Sequence, residues 1–211
     1  MRIAISGASG YIGSEVIKKL NSKKISLTLI QNKKKIIATN AKIVKKPISK
    51  SKNYFKKINH PEIFIHLAWN NLQNHNSKSH IKTSREHFLF LKNLIEQGLK
   101  NLIVVGTCFE YGDQNKILKE NAQNLKPFSN YGKAKNSLRK NLFKLQERKK
   151  FKLTWIRLFY NYGKMNTKHI EKKNLWDLIS ANEAQGGKNF KINSAGHEIR
   201  DYLHINSIAA N

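Results

Sequence analysis

Short apolar runs alternate with amphipathic stretches along most of the chain. The apolar runs predict β-strands at residues 2–6, 25–30, 63–68, 102–105 and 153–159, with a weaker strand near residues 43–44. Apolar residues at helical spacing predict helices at residues 12–20, 51–58, 88–95 and 130–149. This alternation predicts an α/β fold, a doubly wound parallel sheet with helices on both faces, in which ligands bind at the carboxyl ends of the strands.

The last third of the chain has a weaker pattern. It predicts a loop, a helix near residues 175–181 and a short strand near residues 190–192.

The chain is strongly basic, with 40 Lys and Arg against 13 Asp and Glu and a formal net charge of +27. Such a charge suits nucleic acid or an anionic membrane as a partner. Only six of the basic residues are arginines, however, and the lysines are scattered as doublets rather than gathered in one stripe. We therefore favour a compositional bias laid over an ordinary fold, and we expect no specific nucleic-acid partner and no membrane partner.

The cysteine and histidine residues argue against a disulfide-stabilised protein and against a metal-binding protein. The single cysteine, Cys108, excludes a disulfide scaffold and a cysteine-based zinc site. His75, His80 and His87 have spacings that no zinc motif uses, so we expect no metal site. His66 is expected to be a packed, hydrogen-bonded residue of a buried strand.

Apolar runs are too short for a bilayer span or a signal peptide, which favours the cytoplasm. The oligomeric state stays open, with a homodimer as one option.

Three glycines follow the first predicted strand and open the first predicted helix. Gly7, Gly10 and Gly13 have the spacing G-x-x-G-x-x-G, whereas the general dinucleotide fingerprint is G-x-G-x-x-G. A turn without Cβ atoms lets a pyrophosphate approach backbone N–H groups, and the helix N-terminus attracts negative charge. We predict a dinucleotide site at this turn, with a purely structural turn as the alternative.

The end of the second predicted strand is where the adenine ribose of such a cofactor binds, about twenty residues further on. Gln31, Asn32 and Lys33 occupy this place, and none of them is acidic. A carboxylate would bind the ribose 2′-OH and repel a 2′-phosphate, whereas an amide followed by lysines favours the phosphate. We therefore expect Asn32 and Lys33 to contact NADP or NAD, with a slight preference for NADP.

A phenol and an ammonium lie one helical turn apart near the start of the clearest helix. Tyr131 and Lys135 share one face of this helix. Free tyrosine has a pKa of about 10, and a nearby cation lowers it. With a lysine and an oxidised nicotinamide nearby, the phenol is suited to exchange a proton with a substrate oxygen. Thr107 ends the preceding strand, and its hydroxyl is suited to orient that oxygen toward Tyr131.

Six motifs occur in order over essentially the whole chain: Gly7–Gly13, His66–Trp69, Gly106–Gly112, Tyr131–Lys135, Arg157–Gly163 and Arg200–His204. In these motifs the sequence resembles the extended short-chain dehydrogenases/reductases, in the NAD-dependent epimerase/dehydratase branch that acts on nucleotide sugars. The resemblance implies a Rossmann-type fold. It also implies that Tyr131 is the catalytic acid/base, Lys135 its electrostatic partner and ribose anchor, and Thr107 the substrate-orienting hydroxyl.

The resemblance extends to the binding residues. It implies cofactor contacts for Tyr11, Ile12, Leu67 and Ala68, and substrate contacts for Trp69, Tyr160 and Arg200. A basic side chain such as Arg200 suits a substrate diphosphate. For Trp69 the alternative is core packing.

Within this branch, His66–Trp69 and Gly106–Gly112 resemble the reductases of 4-keto-6-deoxy nucleotide sugars. The expected function is therefore an NAD(P)-dependent oxidoreductase that acts at C4 of a nucleotide-activated sugar, in polysaccharide synthesis. Two alternatives stay open: a nucleotide-sugar 4-epimerase with bound NAD, and a truncated remnant that binds cofactor without turnover. Because the family continues beyond the Arg200–His204 motif, we expect residues 1–163 to form the dinucleotide-binding domain and residues 164–211 a partial substrate region.

Overall fold

The computed structural model describes residues 1–21, 24–32, 36, 40–45, 48, 53–114, 116–122, 124–163, 186–187 and 199–210. These residues fall into two compact units, Met1–Leu158 and Phe159–Asn211. The predicted helix near residues 175–181 and strand near residues 190–192 lie outside the described residues, as does the predicted ribose contact Lys33.

The first unit is built on a six-stranded sheet. Its strands are β1 (Arg2–Ser6), β2 (Ser26–Gln31), β3 (Lys42–Lys45), β4 (Ile63–His66), β5 (Asn101–Thr107) and β6 (Lys152–Leu158). All neighbouring pairs are parallel, in the order β3-β2-β1-β4-β5-β6. This is the strand order of the Rossmann fold, and it confirms the predicted fold class.

Helices cover both faces of this sheet. They are α1 (Tyr11–Asn21), α2 (Tyr54–Lys57), α3 (Ser79–Glu96) and α4 (Asn130–Arg148), and a short 3₁₀ turn, Cys108–Glu110, follows β5. Side chains that alternate along β1 divide between two cores: Ile3 and Ile5 pack with Ile17 of α1, whereas Ala4 packs with the helices of the other face. The predicted stripe along α4 is buried in that second core, as Leu138 and Leu142 illustrate.

Two details of the first unit differ from the prediction. The strand predicted to reach Ala68 ends at His66, and a hydrogen bond from the Leu67 amide to the Ser6 carbonyl oxygen over 3.0 Å completes its pairing with β1. The predicted helix at residues 51–58 is described as a single turn, Tyr54–Lys57. Gly98 follows the end of α3 as expected, with a φ of 112° that favours glycine.

The second unit contains short elements that the hydrophobic pattern does not predict. β7 (Tyr160–Tyr162) pairs in parallel with β8 (Tyr202–His204), and α5 (Ile205–Ala210) follows directly. In the part of the chain that the structure describes, no helix combines the length and the apolar character that a bilayer span requires.

Candidate active site

The glycine turn between β1 and α1 is too tight for side chains. Gly7 has a φ of 78°, and a Cβ added to it would lie 2.6 Å from the Ala68 backbone nitrogen. A Cβ on Gly13 would collide with the Gly7 carbonyl oxygen, to which the Gly10 amide also donates a hydrogen bond over 2.9 Å. The predicted turn is therefore packed against the end of β4, and its glycines are required by close backbone contact.

This turn fits the pyrophosphate of a dinucleotide. The N-terminus of α1, at Tyr11, follows the glycine turn at the carboxyl end of β1, where the helix dipole favours an anion, and residues 10–14 contain no acidic side chain that would repel one. Leu67 and Ala68 lie directly beside Gly7. The structure thus brings the predicted cofactor residues of the turn and of the β4 end together.

Tyr131 and Thr107 meet at the same edge. Tyr131 is in the first turn of α4, where the Ser129 hydroxyl caps the helix by accepting a hydrogen bond from the Gly132 amide over 3.1 Å. Thr107 is the last residue of β5, and both side chains are buried. Burial raises the pKa of the Tyr131 phenol, while a hydrogen bond with the Thr107 side chain acts in the opposite direction. The phenol is therefore protonated at neutral pH in this structure.

Lys135 lies one turn further along α4 and is 3% exposed. Its ammonium donates a hydrogen bond to the Val105 carbonyl oxygen over 2.7 Å and lies 4.1 Å from the centre of the Trp69 ring. Burial lowers the pKa of Lys135 to about 7, and the Glu110 carboxylate acts in the opposite direction.

The expected acidification of Tyr131 by Lys135 is not seen in the protein alone. The Lys135 ammonium lies 6.0 Å from the centre of the Tyr131 ring, and the net pKa shift of Tyr131 is upward because desolvation is its largest cause. The helical spacing does place the two groups on the same side of α4, but it could not indicate how deeply both are buried.

Aromatic rings surround the Tyr131 phenol. The ring centres of four residues lie 5.3 to 6.0 Å from that of Tyr131: His75, His80, Trp69 and Phe109. The Trp69 indole N–H donates a hydrogen bond to His80 Nδ1 over 3.1 Å, and the Tyr131 amide donates one to the His75 carbonyl oxygen over 2.8 Å. Trp69 therefore lies at the site and also packs against the core.

The histidines were expected to form no metal site, with His66 packed in its strand, and the structure places His75 and His80 against the Tyr131 ring. His66, completely buried, is hydrogen-bonded through Nδ1 to the Ser6 hydroxyl over 2.7 Å and through Nε2 to His87 Nδ1 over 2.9 Å. Burial lowers the pKa of His66 well below 6.5 and that of His87 to about 3, so both rings are neutral at pH 7. The prediction of a packed, hydrogen-bonded His66 is confirmed.

The remaining predicted residues lie away from this cluster or in the second unit. Asn32 is exposed just beyond the end of β2. In the second unit, Arg200 is exposed, and its guanidinium lies 5.6 Å from the centre of the Tyr160 ring.

A buried carboxylate was missed by the sequence analysis. Glu110 is completely buried directly after Thr107 and Cys108, and one of its oxygens accepts a hydrogen bond from the Thr107 amide over 3.0 Å. Thr107 and Glu110 have the T-x-x-E spacing of a capping box, so a signal for this contact was present in the sequence.

Comparisons with known proteins point to one family. The model of the NAD dependent epimerase/dehydratase family matches residues 3–210. A dTDP-6-deoxy-L-talose 4-dehydrogenase (NAD(+)) from Aggregatibacter actinomycetemcomitans is 29% identical over 216 residues, which cover 99% of this chain and 77% of the relative.

Solved structures share the fold. The UDP-glucose 4-epimerase of Thermotoga maritima, solved with UDP-glucose, superimposes with a TM-score of 0.84 at 22% identity over 100% of this chain and 71% of its own. The UDP-glucose 4-epimerase of Stenotrophomonas maltophila, with bound NAD and formylated UDP-arabinopyranose, has a TM-score of 0.82 at 18% identity over 100% of this chain and 71% of its own.

Proposed function

This chain belongs to the NAD dependent epimerase/dehydratase family, and on that premise we propose that it is an NAD(P)-dependent oxidoreductase acting at C4 of a nucleotide-activated 6-deoxy sugar. The observation that carries the proposal is the buried set of Thr107, Tyr131 and Lys135 at the carboxyl edge of the sheet, the edge at which the glycine turn also lies. A bound nicotinamide would supply the hydride donor or acceptor.

The chain's own residues supply binding and proton transfer. The backbone N–H groups at the start of α1 would bind the pyrophosphate, and the ammonium of Lys135 would hold the nicotinamide ribose. The Thr107 hydroxyl orients the sugar oxygen at C4 toward the Tyr131 phenol. Tyr131 carries its proton at neutral pH, as tyrosine ordinarily does, and can donate it to that oxygen, which is the step that reduction of a 4-keto sugar requires.

The family relationship leaves two reactions to separate, net reduction and 4-epimerisation. The similarity to a relative named as a 4-dehydrogenase supports net reduction. The test is incubation with a panel of 4-keto-6-deoxy nucleotide sugars and NADPH or NADH, following the absorbance of the reduced nicotinamide. We expect stoichiometric oxidation of the cofactor with one keto sugar. Interconversion of two 4-hydroxy sugars without net cofactor turnover would establish the epimerase instead.

Absence of turnover would contradict the proposed function. If fluorescence titration detects cofactor binding but no nucleotide sugar is converted, the chain is a cofactor-binding protein without catalysis, and the proposed reaction is wrong. A wild-type-like rate in Tyr131→Phe would equally contradict the catalytic role of the phenol.

The proposal includes a preference for NADP(H) over NAD(H). The Gln31 side chain, at the end of β2, accepts a hydrogen bond from the Ile36 amide over 3.2 Å, and the exposed Asn32 follows it. Asn32→Asp would place a carboxylate beside a 2′-phosphate, and we expect it to weaken NADPH binding about tenfold while leaving NADH binding within about twofold. Equal affinity of the wild type for both cofactors would contradict this preference.

We further propose that Tyr160 and Arg200 bind the nucleotide part of the substrate. Arg200 carries an exposed guanidinium, which suits a diphosphate. Arg200→Gln is expected to raise the KM for the nucleotide sugar more than it lowers kcat, and to leave cofactor affinity unchanged. An unchanged KM would exclude Arg200 from the substrate site.

A further inference from the structure

Glu110 is a completely buried carboxylate that joins three elements of the fold. It accepts hydrogen bonds from the Thr107 amide over 3.0 Å, from the Trp155 indole N–H over 3.1 Å and from Arg157 Nε over 3.1 Å. Arg139 Nε of α4 lies 3.6 Å from the same carboxylate. The 3₁₀ turn, β6 and α4 are therefore held together by one charged group.

The contribution of this cluster to the free energy of unfolding does not explain why it is there. Removing the Glu110 carboxylate from water carries a large desolvation penalty, which buried ion pairs often fail to recover relative to apolar packing. A buried carboxylate with several hydrogen bonds does fix the positions of the groups that donate to it. The partner closest to the chemistry is Thr107.

Thr107 is fixed at both its backbone and its side chain. Glu110 holds the Thr107 amide, and the Thr107 Oγ1 atom accepts a hydrogen bond from the Phe109 amide over 3.3 Å. The Phe109 amide occupies one acceptor position of Oγ1 and so limits where the Thr107 hydroxyl can point. The Phe109 ring lies 6.0 Å from the Tyr131 ring, centre to centre, and the Thr107 side chain is close enough to the Tyr131 phenol to lower its pKa.

We propose that Glu110 is a positioning residue that sets the Thr107 hydroxyl against Tyr131 and thereby orients the substrate oxygen. This inference rests on the proposed function, since Thr107 matters to catalysis only if Tyr131 is the proton donor. Glu110 does not itself touch substrate or cofactor; it acts through Thr107. Trp155 and Arg157 serve the same purpose one step further away, because they hold the carboxylate in place.

A double-mutant cycle tests this role. Glu110→Gln removes the charge at nearly constant volume, and we expect it to lower kcat about tenfold with both KM values within about twofold, because the loss is one of alignment. In a Thr107→Ala background the same change should alter kcat less than about twofold, since the group through which Glu110 acts is gone. The matched control is Glu147→Gln, an exposed glutamate of α4, which should leave kcat unchanged.

Two outcomes would overturn the proposal. An equal loss of kcat from Glu110→Gln with and without Thr107 would mean that Glu110 acts on the fold in general. An unchanged kcat in a folded Glu110→Gln protein would mean that Thr107 needs no such support. If Glu110→Gln fails to fold, Trp155→Phe replaces it, because this change removes a single hydrogen-bond donor to the carboxylate. The double-mutant cycle with Thr107→Ala is then repeated with Trp155→Phe, and the same two outcomes would overturn the proposal.

A second measurement does not depend on turnover. Amide hydrogen exchange at Thr107 should be at least about tenfold faster in Glu110→Gln than in the wild type, while the remaining β5 amides keep their protection. If the wild type converts no nucleotide sugar, the proposed function has failed, but this exchange experiment still decides whether Glu110 holds Thr107. Equal exchange at Thr107 in both proteins would reject the positioning role.

Discussion

At the scale of single residues, the buried Lys135 ammonium makes stability depend on pH. Its pKa is lowered to about 7 in the folded protein from 10.5, so between these values the unfolded chain binds a proton that the folded chain does not. Stability therefore rises with pH across this window. Between about pH 7 and pH 9.5 the gain from this group amounts to about 2–3 kcal/mol in the free energy of unfolding.

Lys135→Met should remove this gain. Urea unfolding at both pH values is expected to give a variant that is stabilised relative to wild type mainly at the lower pH, with the difference shrinking as pH rises. Lys133→Met is the matched control, because Lys133 lies on the same helix but is exposed. A pH dependence in Lys135→Met equal to that of the wild type would show that Lys135 keeps an ordinary pKa in the folded protein.

A second prediction at the residue scale concerns the Tyr131 hydroxyl. Tyr131→Phe keeps the ring in contact with His75 and Trp69 but removes the proton donor, so we expect kcat to fall by about two to four orders of magnitude. NADPH affinity should stay within about threefold, because the ring still fills its place. Tyr162→Phe, in the second unit, is the control for loss of a tyrosine hydroxyl elsewhere. Loss of cofactor binding in step with kcat would assign Tyr131 to binding instead of proton transfer.

At the scale of elements, local patterns predicted most of the first unit. The strands β1 to β6 each carry their own apolar run, and the stripe of α4 is visible in a single helical window, so neither requires knowledge of distant residues. β7 and β8 escaped prediction because each has three residues and pairs with a strand far along the chain. Such pairing leaves no periodic signal in either segment.

The candidate site was predictable to a similar extent. Thr107, Tyr131 and the glycine turn carry their chemistry in short motifs, and the fold brings each to the same edge of the sheet. The ring contacts of His75 and His80 with Tyr131 depend on how the loop before α3 folds back over α4, which no local spacing encodes. The direction of the Tyr131 pKa shift depends on burial and was likewise beyond the sequence.

The β1–turn–α1 element gives a prediction of its own. Gly13→Ala would force a Cβ against the Gly7 carbonyl oxygen, so the turn must open and the N–H groups proposed to bind the pyrophosphate must move. We expect NADPH affinity to fall at least about tenfold. Gly98→Ala is the control: it strains a φ of 112° at the end of α3, near the opposite edge of the sheet, and should lower stability by about 1 kcal/mol without affecting affinity. Unchanged binding in Gly13→Ala would separate the turn from the cofactor.

At the scale of the whole molecule, the net charge of +27 acts on every anionic ligand. A positive field of this size raises the local concentration of nucleotides and is screened over a Debye length of about 8 Å at physiological salt. It also attracts polyanions such as DNA without reading their sequence. The compositional interpretation and the nucleic-acid interpretation therefore differ in which binding they predict at high salt. The first predicts that NADPH binding persists, and the second that DNA binding persists.

Salt titration separates these interpretations. Raising NaCl from about 50 mM to about 300 mM should weaken NADPH binding several-fold and NADH binding less, because the 2′-phosphate adds charge. Binding of mixed-sequence duplex DNA should disappear over the same range, because contacts made by scattered lysines are electrostatic alone. If DNA affinity instead stayed in the nanomolar range at the higher salt while NADPH failed to bind at either, the basic surface would be the functional one and the dinucleotide site a relic of the fold. NADPH binding that persists at both salt concentrations places the specificity in the glycine turn and the end of β2, with the charge acting only on the rate and strength of capture.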